Sequence, residues 1–220
     1  MSLPTFKPVA EQAVLVEFGT SISDDVNRLV VALDRSIIEA SIDGVSEVVP
    51  ALVNLLVIFD PLITDHTLVE AAIRDLLPVT PVSDAATKHH TLDICYDAEF
   101  APDLDDVAKA CGMSTDDVIA AHSSATFRVG MYGFAPGYAY LAGVPDAIQV
   151  PRKTTPLRDI PAGRVMIAGP QCLCTTLIMP TGWSIIGQTS AKIMTADPDK
   201  PFLFDVGDSV SFNRIRREDL

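Results

Sequence analysis

The side chains here with chemistry to offer are few, and most fall in the second half of the chain. Arg152 follows Pro151, and a planar guanidinium can grip a carboxylate through two parallel N–H bonds. The amides of Gln171 and Gln188 can donate or accept hydrogen bonds around a small polar ligand. His122 is the candidate proton carrier, because imidazole titrates near neutrality. Each has a plainer use. Arg152 can pair with a surface acid, the glutamines can cap loops, and a histidine at a helix end can sit against the last carbonyls. His66, His89 and His90 fall at helix-start or linker positions, where solvation is expected.

The cysteines Cys95, Cys111, Cys172 and Cys174 contain no C-x-x-C pair, and a chain of 220 residues does not depend on a disulfide framework. They read as reduced thiols. Cys172 and Cys174 would share one face of a strand and with His89 or His90 could bind a metal, but without a second paired motif the expected use is as small buried apolar residues. No metal site is therefore expected. Ser123, Ser124 and Cys111 lack a nucleophile elbow or partner spacing, and there is no G-x-x-x-x-G-K-[ST] phosphate loop.

The stretch Gly133-Phe-Ala-Pro-Gly-Tyr-Ala-Tyr-Leu141 sets two glycines and a proline between aromatic side chains, a composition that builds a shaped loop beside an apolar wall. Phe134, Pro136, Tyr138 and Tyr140, with Pro151 and Trp183, can line a pocket or a partner-facing surface, where aromatics are enriched. They can equally pack a core.

Positioning these residues requires a scaffold. Ala13 to Phe18 is a short apolar strand, and Ser23-Asp24-Asp25 starts a helix whose Val26, Leu29, Val30, Leu33, Ile37 and Ile38 form one stripe over Asp24 to Ala40. Strands over Gly44 to Leu52 and Asn54 to Asp60 follow, then a helix marked by Leu68, Ala72, Ile73, Leu76 and Leu77. The order β-α-β-β-α needs one more strand to make a ferredoxin-like unit, and Thr91 to Tyr96 can supply it or begin the next domain. Pro78 to Lys88, rich in Pro, Ser, Thr and Ala, reads as the linker. Beyond it, Asp103 to His122 is a helical hairpin turning at Gly112-Met113-Ser114, with Ser114 and Asp117 as caps. A DNA-binding helix-turn-helix looks similar, yet Asp116 and Asp117 would stand where base-reading residues sit, so a structural hairpin is the better reading. Short apolar runs at Ile148 to Val150, Arg164 to Ile167, Trp183 to Ile186 and Ser209 to Phe212 suggest a β-barrel or sandwich.

A length of 220 residues suits two domains of about 100 residues each, and 48% hydrophobic against 20% charged residues is ample for buried cores. The net charge of -13 repels phosphates and anionic membranes, so neither nucleic acid nor membrane is an expected partner. The N-terminal segment lacks the features of a signal peptide and no run of 18 apolar residues occurs, so a cytoplasmic location is expected.

Several motifs occur in a fixed order: GVSEVVPALVNLLVIFDP in the first half, GFAPGYAYL at 133–141, PR at 151–152, PAG at 161–163, IAGPQ at 167–171, GWSIIGQT at 182–189, and VGDSVSF near the end. In these the chain resembles the B-type subunit of bacterial 5-oxoprolinase, a family that also carries the name allophanate hydrolase subunit 1 and includes an inhibitor of a sporulation histidine kinase. The resemblance runs from about Ala13 to Phe212. It implies an α+β fold: an N-terminal ferredoxin-like α/β domain, residues 1–85, followed by a C-terminal cyclophilin-like β-barrel domain, residues 86–220. It also implies a larger partner, the C-type subunit of 5-oxoprolinase or allophanate hydrolase subunit 2, and hydrolysis of 5-oxoproline or a related amide. That reaction is coupled to ATP, with Mg, by phosphorylation of the amide oxygen. His122 matches a family histidine. With no phosphate loop here, this chain is expected to bind no cofactor alone, the nucleotide belonging largely to the partner, and to be inactive by itself.

The sequence departs from the family at its pocket. Where relatives read P-R-x-x-P-R, this chain has Pro156-Leu157-Arg158, so the second arginine is missing or displaced by one residue, and in a strand such a displacement turns the side chain to the opposite face. Gln171-Cys-Leu-Cys-Thr-Thr176 replaces Q-T-G-I-Y-P, Thr181 replaces the first glycine of Gly-Gly-Trp, and Gln188 stands for an arginine. These departures leave room for a substrate that has diverged from the family's. The rival functional readings are a barrel groove that docks a proline-containing segment of a sensor histidine kinase, and a carboxyltransferase-like subunit of urea metabolism.

Overall fold

A computed structural model describes residues 3–83 and 87–220. Two compact units divide the chain, Met1–Thr87 and Lys88–Leu220. The expected domain boundary, between 85 and 86, touches residues outside the described ones, as does part of the expected linker.

In the first unit β1 (Thr5–Val9), β2 (Ala13–Glu17), β3 (Val45–Pro50) and β4 (Asn54–Phe59) form one antiparallel sheet in the order β1-β2-β4-β3. Helices α1 (Asp24–Ala40) and α2 (His66–Asp75) complete the unit. The Ser23 hydroxyl accepts from the Val26 amide and Asp65 accepts from Leu68, which satisfies amide donors left open at each helix start. Alternation in β2 and β4 turns Val14, Val16, Leu55, Val57 and Phe59 into a core shared with Val30, Leu33 and Ile37 of α1 and Val69 and Ile73 of α2. This is the ferredoxin-like strand order, but its outer strand is the N-terminal β1. Thr91 to Tyr96, the other candidate, belongs to the second unit. His66 is half-buried and sets its ring edge-on to Phe59, so it is not simply solvated.

The second unit is a closed barrel of β5 (His89–Cys95), β6 (Thr126–Tyr132), β7 (Ala139–Ala142), β9 (Arg164–Ala168), β10 (Gln171–Cys174), β12 (Ser184–Gln188) and β13 (Ser209–Ile215), in the order β10-β7-β6-β13-β5-β12-β9. All pairings are antiparallel except β5 with β13. A separate ribbon pairs β8 (Leu157–Ile160) with β11 (Met179–Thr181). The run at Ile148 to Val150 is no strand: a short 3-10 turn spans Asp146–Ile148.

The helical hairpin is present as α3 (Leu104–Cys111) and α4 (Thr115–Ser124), turning at Gly112, with a reciprocal capping box between Ser114 and Asp117. Val118, Ile119 and His122, spaced three and four residues apart, face inward from α4 into the barrel core. That burial commits this face of the hairpin to packing. His89 and His90 lie on β5, where His89 bonds the Ser209 and Ser211 hydroxyls and His90 bonds Asp208 at 2.9 Å. His89 is exposed, as expected of a solvated residue, whereas His90 is half-buried against Asp208, which corrects the expectation for that residue.

Candidate functional site

The loop joining β6 to β7 carries the glycine- and proline-punctuated aromatics. The Gly133 carbonyl accepts from the Ala135 amide at 2.9 Å across Phe134, whose φ is +71°. This three-residue ring with a positive central φ is the strained form of γ-turn, unusual for a bulky side chain. The Phe134 ring is held out to solvent, 71% exposed. Backbone strain of this kind persists where the surroundings impose it. Gly137 supplies the other positive φ, and an added Cβ there would meet Met194 Cγ at 2.8 Å.

From Phe134 the rings run in series. Phe134 and Tyr138 centroids are 5.4 Å apart, Tyr138 and Tyr140 5.7 Å, Tyr140 and Trp183 5.8 Å, and the Arg152 guanidinium carbon lies 5.5 Å from the Trp183 ring. These five residues, with Pro180, Thr181 and Gly182, line a cleft of about 230 Å3. Tyr138 and Trp183 are buried in an apolar cluster with Met166, Leu173, Met179 and Ile185. The aromatics are thus core and cleft wall at once. Burial, and next the neighbouring Tyr140, push the Tyr138 phenol well above its usual range, so it is a neutral hydrogen-bonding group at physiological pH.

Arg152 is exposed and, among the described residues, its partner is the Trp183 ring rather than a carboxylate. In a chain of 29 acidic residues, the alternative reading of Arg152 as half of a surface ion pair finds no carboxylate partner among the described residues. A cation over an aromatic face, in a cleft whose lining contains no Asp or Glu, is suited to a small anion with a ring or planar body.

The other sequence candidates lie elsewhere. Gln188 donates its amide to the Ala162 and Thr189 carbonyls, each at 3.2 Å, and packs over Gly163, outside the cleft lining. Gln171 begins β10 opposite Ala142 and Ala168, also outside that lining. Pro136 is exposed at the loop tip, with its carbonyl accepting from Thr176, and Pro151 flanks Arg152 without lining the cleft. Arg158 lines a different depression beside Ile178 and Met179.

His122 is fully buried between Phe127 and Phe212, with centroids at 5.0 and 4.7 Å. Its Nδ1 bonds the Tyr96 hydroxyl at 2.8 Å, and its Nε2 faces Cys172 Sγ at 3.6 Å. Burial pushes its pKa down to about 3. It is neutral at physiological pH and shielded from solvent, and it does not share the cleft with Arg152. The sequence-based reading of His122 as a proton carrier thus meets a core residue, because the inward face of α4 takes its ring out of water.

Cys172 and Cys174 are likewise buried in the barrel, and burial holds the Cys174 thiol up at about 12. Among the described residues no group of three or more His, Cys, Asp or Glu side chains is placed to hold a metal ion, and no helix is long and apolar enough to cross a membrane.

Sequence reading passed over Asp103 and Lys153. Asp103 reads as a helix start, but its carboxylate accepts from the Ile185 amide at 2.7 Å and from Lys153 Nζ at 2.5 Å instead of capping α3. The local signal was only an Asp before a helix.

The chain matches the model of the carboxyltransferase domain, subdomain C and D, over residues 4–204. It is 33% identical over 222 residues to a protein of Bacillus subtilis (strain 168) named as the B-type subunit of 5-oxoprolinase, covering 96% of this chain and 92% of that one. The crystal structure of TTHA0988 superposes with a TM-score of 0.83 at 28% identity, covering 94% of this chain, which spans 40% of that longer protein. The urea carboxylase of Kluyveromyces lactis shares the fold, with a TM-score of 0.78 at 16% identity over 99% of this chain and 22% of that one.

Proposed function

The chain belongs to the carboxyltransferase-domain family of subdomains C and D, and from that premise we propose that it is the B-type subunit of a 5-oxoprolinase, hydrolysing 5-oxoproline to glutamate together with a larger subunit. The observation that carries this reading is Arg152, held over Trp183 in an aromatic cleft with no carboxylate in its lining. 5-Oxoproline is a flat five-membered lactam bearing one carboxylate. Its carboxylate suits the guanidinium, and its ring suits the faces of Trp183 and Tyr140. Arg152 binds and orients the substrate, and the aromatic wall excludes water from one side of the ring.

The lactam carbonyl is a poor electrophile, and ATP supplies its activation. The residues of this cleft do not fit a magnesium nucleotide, because magnesium needs hard oxygen ligands and the lining contains no carboxylate. The nucleotide and the groups that activate water are therefore assigned to the larger subunit. The chain alone is inactive in this scheme, and a cytoplasmic, heteromeric enzyme follows from it.

The test is reconstitution. Mixing the purified chain with the larger family subunit, ATP, magnesium and 5-oxoproline should release glutamate, and omission of either subunit should stop it. A complex that forms and turns over another amide but not 5-oxoproline would overturn the substrate assignment. The carboxyltransferase family match also favours a second reading, carboxyl transfer to a urea-like amide, which predicts carboxylated product in place of glutamate.

A further inference from the structure

The segment that presents Arg152 has no strand pairing of its own. On one side of it the Val150 carbonyl accepts from the Gly169 amide at 2.7 Å, and on the other the Lys153 amide donates to the Gly182 carbonyl at 2.7 Å, next to Trp183. The Lys153 side chain runs to Asp103, where Nζ meets Oδ1 at 2.5 Å, with 23% and 12% of the two side chains exposed. Asp103 is itself fixed by two bonds to one residue of β12: its amide donates to the Ile185 carbonyl at 3.1 Å, and its Oδ2 accepts from the Ile185 amide at 2.7 Å. A helix start fifty positions earlier in sequence is thereby tied to the residue that follows Arg152 and to the strand that follows Trp183.

We infer that Asp103, acting through Lys153, is a positioning residue that holds the Arg152 guanidinium over Trp183. The pair does two things. It anchors the residue adjacent to Arg152, so that the arginine leaves the backbone from a fixed point. It also neutralises the Lys153 ammonium, so that Arg152 is the cation offered to a ligand. Both oxygens of Asp103 are engaged, one on the backbone of Ile185 and one on Lys153, which leaves the carboxylate little freedom to reorient. As an account of substrate binding this rests on the proposed carboxylate site, but the placement of Arg152 can be tested without any ligand.

Trp183 is the only tryptophan of the chain, so the 1H–15N spectrum contains one indole N–H peak. In full-length protein, Asp103→Asn and Lys153→Met should each move that peak in the direction that Arg152→Gln moves it, and Lys153→Arg should keep it near the wild-type position. A purely structural role would lower the melting temperature without following the Arg152→Gln shift. Variants that stay folded by their amide spectra and keep the wild-type indole position would overturn the inference. Should Asp103→Asn not fold, the two Lys153 variants decide the matter. Titration with 5-oxoproline, followed by the same peak, should show affinity about tenfold weaker in Asp103→Asn, with the neutral lactam 2-pyrrolidinone binding equally to both. A wild-type peak that 5-oxoproline leaves unmoved would count against the carboxylate site alone, since the ligand-free comparison still settles the anchor.

Discussion

Acid should destabilise the barrel unit through His122, and the size of the effect can be worked from its surroundings. The imidazole is fully buried, and burial lowers its pKa from 6.5 to about 3. The unfolded chain therefore takes up the proton first. Stability contributed by the neutral ring is fully present above about pH 6.5 and is lost as pH falls from there towards 3. At 1.36 kcal/mol per pH unit the whole interval corresponds to about 5 kcal/mol, and the drop from pH 6.5 to 5 to about 2 kcal/mol. Asp34, in the other unit, runs the opposite way: burial raises its pKa to about 6, so acidification through that range favours the folded form. The two units must therefore be followed separately. Urea unfolding of the barrel, read by Trp183 fluorescence at pH 7 and pH 5, isolates the His122 effect when wild type is compared with His122→Asn. The wild type should lose about 2 kcal/mol more than the variant between the two pH values. Equal losses would show that the ring is not the desolvated neutral group described above.

Three further substitutions test the backbone. An alanine Cβ at Gly163, where φ is +83°, would lie 2.3 Å from Gln188 Nε2 and 2.5 Å from the Thr189 carbonyl, whereas at Gly112, φ +66°, it would meet nothing within 4 Å. Gly163→Ala should cost about 2–4 kcal/mol in urea unfolding and Gly112→Ala about 1 kcal/mol; equal costs would contradict the packing. Phe134→Gly should relieve the positive φ and raise barrel stability by about 0.5–1 kcal/mol while lowering turnover of the reconstituted enzyme. A variant that loses stability and keeps full turnover would remove the loop from the site.

Much of the scaffold was legible because its signals are local. The Ser23-Asp24 start and the apolar stripe from Val26 to Ile38 specify α1, although Ile38 itself is left exposed, and Ser114 with Asp117 specify α4. Strand β1 was missed because Lys7 and Pro8 sit on a sheet edge, where Pro is tolerated but the apolar alternation that marks a strand is absent. In the site, the cluster from Gly133 to Tyr140 drew attention through its glycines, proline and aromatics. Its strained centre at Phe134 was not readable, since phenylalanine carries no preference for positive φ. His122 looked like a proton carrier because residue type says nothing of burial, although its spacing of three and four from Ile119 and Val118 already placed it on the inward face of α4. Asp103 was legible only as a helix start, because the partners of its carboxylate lie 50 and 82 positions away.

The most direct test of the account is the kcat/KM of the reconstituted two-subunit enzyme for 5-oxoproline, wild type against Arg152→Gln. Loss of a charge-assisted bond worth about 2 kcal/mol predicts a fall of about 30-fold, carried mainly by KM, with the barrel's unfolding midpoint unchanged. An Arg152→Gln enzyme that matches wild type would mean that this guanidinium does not hold the substrate carboxylate, and the assignment of the cleft would fail with it.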